Sequence, residues 1–279
     1  MMVWIIALAF WIAAWAFNGW LVRQGNARWI RIAAPVIFGL TVIVLWEWIV
    51  RGLEISAVLL PPPSMIAAAF ADNIPILWAD FMQTFVKGAL SGYFIGCGAA
   101  FLVAVLIDRS DFLQRGLLPV GNFVSALPII GVAPIMVMWF GFGWQSKAAV
   151  VVIMVFFPML INTVQGLNAS DAMQRDLMRT YAASYWQGLF KLRLPAAAPF
   201  IFNGLKISTT LALIGAIVAE YFGSPIVGMG FRISTEVGRL ALDMVWAEIV
   251  VAAVVGTAFY GVVTLLEKAA TFWHPSQRG

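Results

Sequence analysis

The chain has 279 residues, of which 62% are hydrophobic and only 11% charged, with a mean hydropathy of +0.93 and a net charge of +4. A soluble domain is closer to a quarter charged, so this composition excludes an ordinary water-soluble protein and points to a polytopic membrane protein. One cysteine (Cys97) and one histidine (His274) exclude an internal disulfide and a thiolate or imidazole metal cage built from this chain, and no metal site is expected.

Apolar runs of roughly 18 to 24 residues match the length a helix needs to cross about 30 Å of hydrocarbon. None shows the polar/apolar alternation of a transmembrane barrel, as "EIVVAAVVGTAFYGVVTLL" illustrates. The fold class is therefore all-α, with seven predicted spans at about 3–22, 33–50, 84–107, 117–140, 148–165, 199–222 and 245–266. The first run lacks a basic n-region and is followed by basic residues and another span, so it reads as a retained helix rather than a signal peptide. Short basic loops stay in the cytoplasm. Placing the 22–32 loop inside leaves Arg51, Lys87, Lys147, Arg232 and Arg239 outside and the other 12 of 17 basic residues inside. The N-terminus is then outside and the C-terminus cytoplasmic. Topology thus accounts for the basic balance, and nucleic-acid binding is not indicated.

Between the second and third spans, "LLPPPSMIAAAFADN" begins with an extended triple proline, and Ser64 is placed to cap a short surface helix running to Ala71. In the third span Gly88, Gly92, Gly96, Ala100 and Ala104 recur every fourth residue, and in the sixth Gly204, Ser208, Ala212 and Ala216 do the same. Both stripes read as close helix packing, with Cys97 among the glycines of the first. Pro119, Pro128 and Pro134 are expected to bend the fourth span, and broken helices often line a pathway. Met136, Met138 and Trp139 follow, so this segment reads either as core or as the wall of a path for a flat or apolar-faced solute. "GFGWQSKA", Gly141 to Ala148, resembles a phosphate loop, but Ser146 replaces the glycine before Lys147 and Ala148 replaces the Ser or Thr. Glu47, Glu220 and Glu248 lie in or at the ends of spans, where a charge is costly. Glu220, before the Gly-rich "YFGSPIVGMG", reads as a structural or gating carboxylate, whereas Glu47 and Glu248 pair with Arg51 or snorkel outward.

The polar segment from Gly166 to Pro195 is expected in the cytoplasm. Asp171 or Ser170 caps a helix of about Asp171–Ala182, with Gln174 completing a capping box. The small residues Ala182, Ala183 and Ser184 then turn into a second helix, "SYWQGLFKL", with Trp186, Leu189 and Phe190 on one face and Pro195 as its stop. Helices this short are marginal in water, so their apolar faces are covered either by the membrane interface or by a cytoplasmic partner.

At these residues, "DLMRTYAASYWQGLFKLRLPAAAPFIFNGLKIS" resembles the EAA signature loop of permease subunits of binding-protein-dependent ABC importers. In register with Leu194 and Pro195, the acidic position falls on Asp176, the two alanines on Leu177 and Met178, the glycine on Ala182 and the isoleucine on Leu192. "LLPPPSMI", "SALPIIGVAPIMVMWFGFG" and "AIVAEYFGSPIVGMG" resemble the nitrate, sulfonate and taurine subfamily, and within it permeases for pyrimidine thiamine precursors or riboflavin. The resemblance implies a six-helix, MetI-like permease core over 33–279, preceded at 1–32 by one extra helix and a basic loop. It implies a multi-pass protein of the bacterial inner membrane, working with ABC ATPase subunits, a second permease subunit (a copy or a paralogue), an extracytoplasmic solute-binding protein and membrane lipid. ATP and Mg would sit on the ATPase, with no cofactor in this chain. One small-residue stripe would face the second permease.

The 166–195 loop would couple to the ATPase. Asp176 and Arg179 would position it by charge, and Trp186 and Phe190 would anchor it. Lys191 and Arg193 would reach the lipid headgroups, and Thr180, Gln187 and the Leu194–Pro195 pair would complete the loop. An autonomous ion-coupled carrier is the competing transport reading, but it calls for mid-membrane charges and inverted repeats that the sequence does not display. A membrane enzyme would need a nucleophile or metal constellation beyond one His and one Cys.

Overall fold

The computed structural model describes residues 2–25, 27–110, 112, 113, 116, 121, 123, 127–223 and 226–273. Among them the helices are α1 (Met2–Arg23), α2 (Arg28–Gly52), α3 (Pro63–Asp72), α4 (Ile74–Ile107), α5 (Ile129–Phe140), α6 (Trp144–Asn168), α7 (Ala172–Thr180), α8 (Tyr185–Phe222), α9 (Met229–Gly238) and α10 (Leu242–Ala270). Six of these, α1, α2, α4, α6, α8 and α10, are long and apolar enough to cross a membrane. Large apolar side chains such as Trp15, Phe94 and Leu102 stand on their surfaces, which suits a hydrocarbon solvent and not water.

The boundaries differ from the predicted ones where polar residues interrupt apolar runs. The third span starts at Ile74 rather than 84, because Asp80, Gln83 and Thr84 belong to a helical stretch that includes a π-helical segment at Met82–Leu90. The fifth starts at Trp144 and takes in Lys147. Of the fourth predicted span, the longest described helix is α5, whose 12 residues extend about 18 Å, and Gly121 and Phe123 are also helical. Residues 117–120, 122 and 124–126 of that prediction, Pro119 included, lie outside the described residues, as does His274. Pro128 does not bend this helix. It precedes the first turn as the N-cap, and Pro134 is the proline inside.

The chain divides into two compact units, Met1–Ile74 with Thr235–Ile249 and Pro75–Ser234 with Val250–Gly279. The first unit contains α1 and α2 as an antiparallel pair. Phe10 meets Trp48 with ring centroids 5.3 Å apart, Trp11 meets Phe38 at 6.1 Å, and Asn18 Nδ2 donates to the Ala34 carbonyl at 3.1 Å. Ser64 is not the cap of α3. Pro62 holds the N-cap position, and the Glu47 carboxylate of α2 accepts the Ser64 N–H at 2.9 Å and its hydroxyl at 2.7 Å while also pairing with Arg51. A carboxylate at a helix start satisfies orphan amides and complements the helix dipole. Glu248 is fully buried and does not snorkel outward.

In the second unit α6 is the central helix, with α4 and α8 packed against it. The close approach comes from glycine. A Cβ on Gly92 would sit 2.5 Å from Val151 Cβ and 2.8 Å from the Ala148 carbonyl, and one on Gly96 would meet Val155 Cγ2 at 2.5 Å. On α8, a Cβ at Gly204 would come within 3.0 Å of Asn162 and Met159, and Ser208 and Ala212 are fully buried beside it. Gly88 faces Lys147 of α6 and Ala216 of α8. Both small-residue stripes are therefore filled from within this chain, and the α4 stripe presents its face to α6 instead of to a second subunit.

Candidate functional site

The second unit carries two polar constructions. One is the loop between α6 and α8. Asp171 caps α7 by accepting the Met173 N–H at 3.1 Å, and Arg175 is drawn back onto the Ser170 carbonyl and hydroxyl. No residue of α7 is buried. Met173, Leu177 and Tyr181, one helical turn apart, form an exposed apolar stripe. Asp176 and Arg179 pair on the exposed surface at 3.2 Å, and the Thr180 hydroxyl donates to the Asp176 carbonyl. The turn follows at Ala182, whose φ of +50° lies in the left-handed region. That is the position the motif register assigns to glycine, the residue that adopts it without strain.

Ser184 opens the next helix with a reciprocal capping box. Its hydroxyl accepts the Gln187 N–H at 3.3 Å, and Gln187 Oε1 accepts the Ser184 N–H at 2.8 Å. The box belongs to Ser184–Gln187 and not to Asp171–Gln174. The "SYWQ" spacing carries its signature. Pro195 does not stop this helix. The π-helical turn at Leu189–Arg193 widens the backbone just before the proline, whose ring crowds the preceding turn and which lacks an N–H. The helix runs on to Phe222. Leu194 and Pro195 are half-buried, Ala183 is partly covered, and Lys191 is exposed.

What fixes the loop is Asp108 at the end of α4. Its carboxylate accepts both terminal guanidinium nitrogens of Arg193, Nη1 at 2.6 Å, and the Tyr185 hydroxyl at 2.8 Å. Arg193 Nε donates in addition to the Leu167 carbonyl at 3.0 Å. The fork-on-carboxylate geometry is the strong form of a charge-assisted pair. It ties the start of α8 to the ends of both α4 and α6, with Leu189, Leu167 and Ala197 packed beneath. Arg193 is thus held by protein and does not reach for headgroups. Arg109 lies over the Tyr185 ring at 5.0 Å and near Trp186 at 5.8 Å, within cation–π range. Trp186 and Phe190 stack on each other at 6.0 Å and stay at least half exposed.

The second construction is at the other end of the unit. Glu220 is buried, and one of its oxygens accepts the Thr84 hydroxyl at 2.6 Å and the Gly230 N–H at 3.1 Å. Thr84 accepts the Met229 N–H at 2.7 Å. Asp80 accepts the Gly228 N–H at 2.6 Å and Arg232 Nε at 2.9 Å. Fully buried Lys147 donates to the carbonyls of Phe142 (2.8 Å) and Gly223. Three carboxylate and hydroxyl side chains thereby gather the amides at the start of α9 and pin the turn after α8 to α4. Gly228, with φ +131°, lies flat against the Glu220 carboxylate, where any Cβ would collide at 2.6 Å. Glu220 is the one residue of the expected path that joins this network. Met136 packs into a core with Ala133, Val150 and Ala219, while Met138 and Trp139 are exposed.

Asp108, Lys147, Asp80 and Thr84 escape the sequence reading. Each is polar within or beside an apolar run and takes a partner far along the chain: Asp108 is 85 residues from Arg193, Thr84 is 136 from Glu220 and Lys147 is 76 from Gly223. An acid just past one span facing "KLR" before another was the only local signal.

Comparison with known proteins agrees with this architecture. The family described as "Binding-protein-dependent transport system inner membrane component" matches residues 92–271. SsuC of Bacillus subtilis, a permease whose name assigns it provisionally to aliphatic sulfonates transport, is 31% identical over 85% of this chain and 86% of its own. The formylaminopyrimidine transport permease protein ThiX of Halalkalibacterium halodurans is 28% identical over 87% of this chain and 96% of its own. The riboflavin transport system permease protein RibX of Chloroflexus aurantiacus is 28% identical over 89% and 92% respectively. A match over more than half the chain, with relatives aligned nearly end to end, settles the family: the chain is a multi-pass permease of the ABC importer type, in the sulfonate, taurine and nitrate group.

Proposed function

We propose that this chain is the transmembrane subunit of an ATP-driven importer. It would receive a small solute from an extracytoplasmic binding protein and pass it inward while an ATPase subunit engages the loop around α7. The observation that carries this reading is the pairing of an exposed apolar stripe, Met173, Leu177 and Tyr181, with a rigid mount, the Asp108–Arg193 clamp. A stripe of this kind on a short polar helix is costly in water and suits a groove on a partner. The clamp transmits its displacement to α4, α6 and α8 together, as rigid-body switching requires. ATP and Mg2+ belong to the partner in this scheme, and this chain holds neither.

The same reading puts the α7 end in the cytoplasm, where Arg109, Arg175, Arg179, Lys191 and Arg193 cluster, and Lys147 and Arg232 at the outer end. It assigns Trp186 and Phe190 to the contact as its apolar anchors, and Glu220 to holding the outer turn through the cycle. A second permease subunit, identical or paralogous, completes the path. The solute is a pyrimidine thiamine precursor, riboflavin, or a nitrate- or sulfonate-like anion, in keeping with the solutes named for the relatives.

The test is copurification from native membranes in mild detergent, for the natural chain and for Trp186→Ala with Phe190→Ala. The expected result is an ATPase subunit with the natural chain and loss of uptake, with insertion intact, in the double variant. A chain that emerges alone, even after cross-linking, would return the autonomous carrier to first place.

A further inference from the structure

Three neutral amides stand on an exposed face of helices that cross the membrane. Asn162 and Gln165 lie one turn apart on α6, and Asn203 faces them from α8. Asn203 Nδ2 donates to Asn162 Oδ1 at 2.9 Å, and Asn162 Nδ2 donates to the Pro158 carbonyl at 2.8 Å. Asn203 and Gln165 are exposed, and within the described residues neither the Asn203 carbonyl oxygen nor the Gln165 amide takes a partner. Asn162 and Asn203 fall inside the predicted fifth and sixth spans and Gln165 at the end of the fifth; lipid tails offer no partner, and an unpaired amide that meets them is strongly disfavoured. This face therefore looks onto water or onto another polar surface.

Its shape separates those two. The exposed side of α8 reads Phe200, Asn203, Ile207, Thr210 and Ile214, with aromatic or branched side chains at four of five positions. Close helix packing in membranes uses small residues, and the small stripe of α8, Gly204, Ser208 and Ala212, is already spent on its buried side. Among the described residues, the exposed side chains of this face carry no charge. The nearest cation along α8, Lys206, is paired with Glu267 of α10 at 2.8 Å.

We infer that Asn162, Gln165 and Asn203 line a water-filled solute path and bind an uncharged solute through an edge with both a donor and an acceptor, as in an amide, a urea or a pyrimidine. A carboxamide supplies one acceptor oxygen and two donor hydrogens, the complement of such an edge. An anion here would meet no compensating cation. The inference rests on the importer reading and chooses among the solutes that reading allows.

Cys97 is the only cysteine and is buried, so Cys97→Ala gives a clean background for single-cysteine variants. Asn203→Cys and Gln165→Cys, with Leu102→Cys as the exposed apolar control, are treated with a charged, membrane-impermeant methanethiosulfonate in membranes open on both sides. The path predicts labelling about tenfold faster at 203 and 165 than at 102, because a charged reagent does not partition into hydrocarbon. Labelling as slow as at 102 overturns the path. So does a disulfide between two Asn203→Cys copies with no labelling, which would assign the face to a subunit contact. Labelling at 203 is then repeated with riboflavin, thymine, taurine or nitrate present. Protection by riboflavin or thymine is expected; protection by taurine or nitrate instead, or by none of the four, refutes the solute class. Absence of a copurifying ATPase would sink the importer reading while leaving the labelling result standing.

Discussion

Asp108→Ala removes a carboxylate that takes two guanidinium nitrogens and a tyrosine hydroxyl, and it strands the charge of Arg193. The Asp108 and Arg193 side chains are 6% and 18% exposed, so solvent relieves little of the loss. Breaking one side of such a pair costs about 3–5 kcal/mol. Arg193 keeps its bond to the Leu167 carbonyl, which favours the lower end. In a chain of this size each kcal/mol moves the thermal midpoint by about 2–4 °C, so a fall of roughly 6–12 °C in detergent is expected. Asp108→Asn keeps the shape and one acceptor oxygen and should fall by less. The control is Arg179→Ala, which removes an exposed surface pair and should leave the midpoint unchanged. In the reconstituted transporter, Asp108→Asn should hydrolyse ATP while uptake drops, because the loop still docks but no longer pulls on α4. A midpoint for Asp108→Ala equal to that of the Arg179→Ala control, or fully coupled uptake in Asp108→Asn, would refute the clamp.

Ala182→Gly should raise the thermal midpoint with transport retained, since an alanine at φ +50° carries about 1 kcal/mol of strain that glycine lacks; a lowered midpoint would argue against that turn. Gly92→Ala should cost about 1–3 kcal/mol by overpacking against Val151 and the Ala148 carbonyl. Gly98→Ala, with nothing within 4 Å of the new Cβ, should be neutral or gain roughly 0.5–1 kcal/mol of helix propensity. Thermal melts of the pair check both. Glu220→Gln can keep a carbonyl toward Thr84 and Gly230 but buries an amide N–H2 where the second oxygen stands without a hydrogen-bond partner, costing about 1–3 kcal/mol, and should slow cycling; normal uptake kinetics and an unshifted melt would make the carboxylate dispensable.

The membrane class, the helical fold and the loop's helix–turn–helix layout were legible because each rests on local signals: apolar run length, motif register and capping residues. The position where the motif has glycine is the one where Ala182 turns left-handed. What local signals could not supply was partnership across the sequence. Lys147 read as an outer-loop cation because nothing in the residue types announces the Gly223 carbonyl, 76 residues away, that holds it together with that of Phe142. Arg193 read as a headgroup anchor because Asp108 lies a whole helix pair away. Pro195 read as a stop because a widened π-helical turn has no signature in residue types.

The most direct measurement places a photo-cross-linking amino acid at Leu177 of the full chain in its native membrane and identifies the adduct by mass spectrometry. An ATPase subunit is expected, joined at high yield and lost when Asp108 is replaced by Ala. Adducts only to lipid, or to another copy of this chain, would contradict the claim that the α7 stripe is where ATP-driven motion enters the permease.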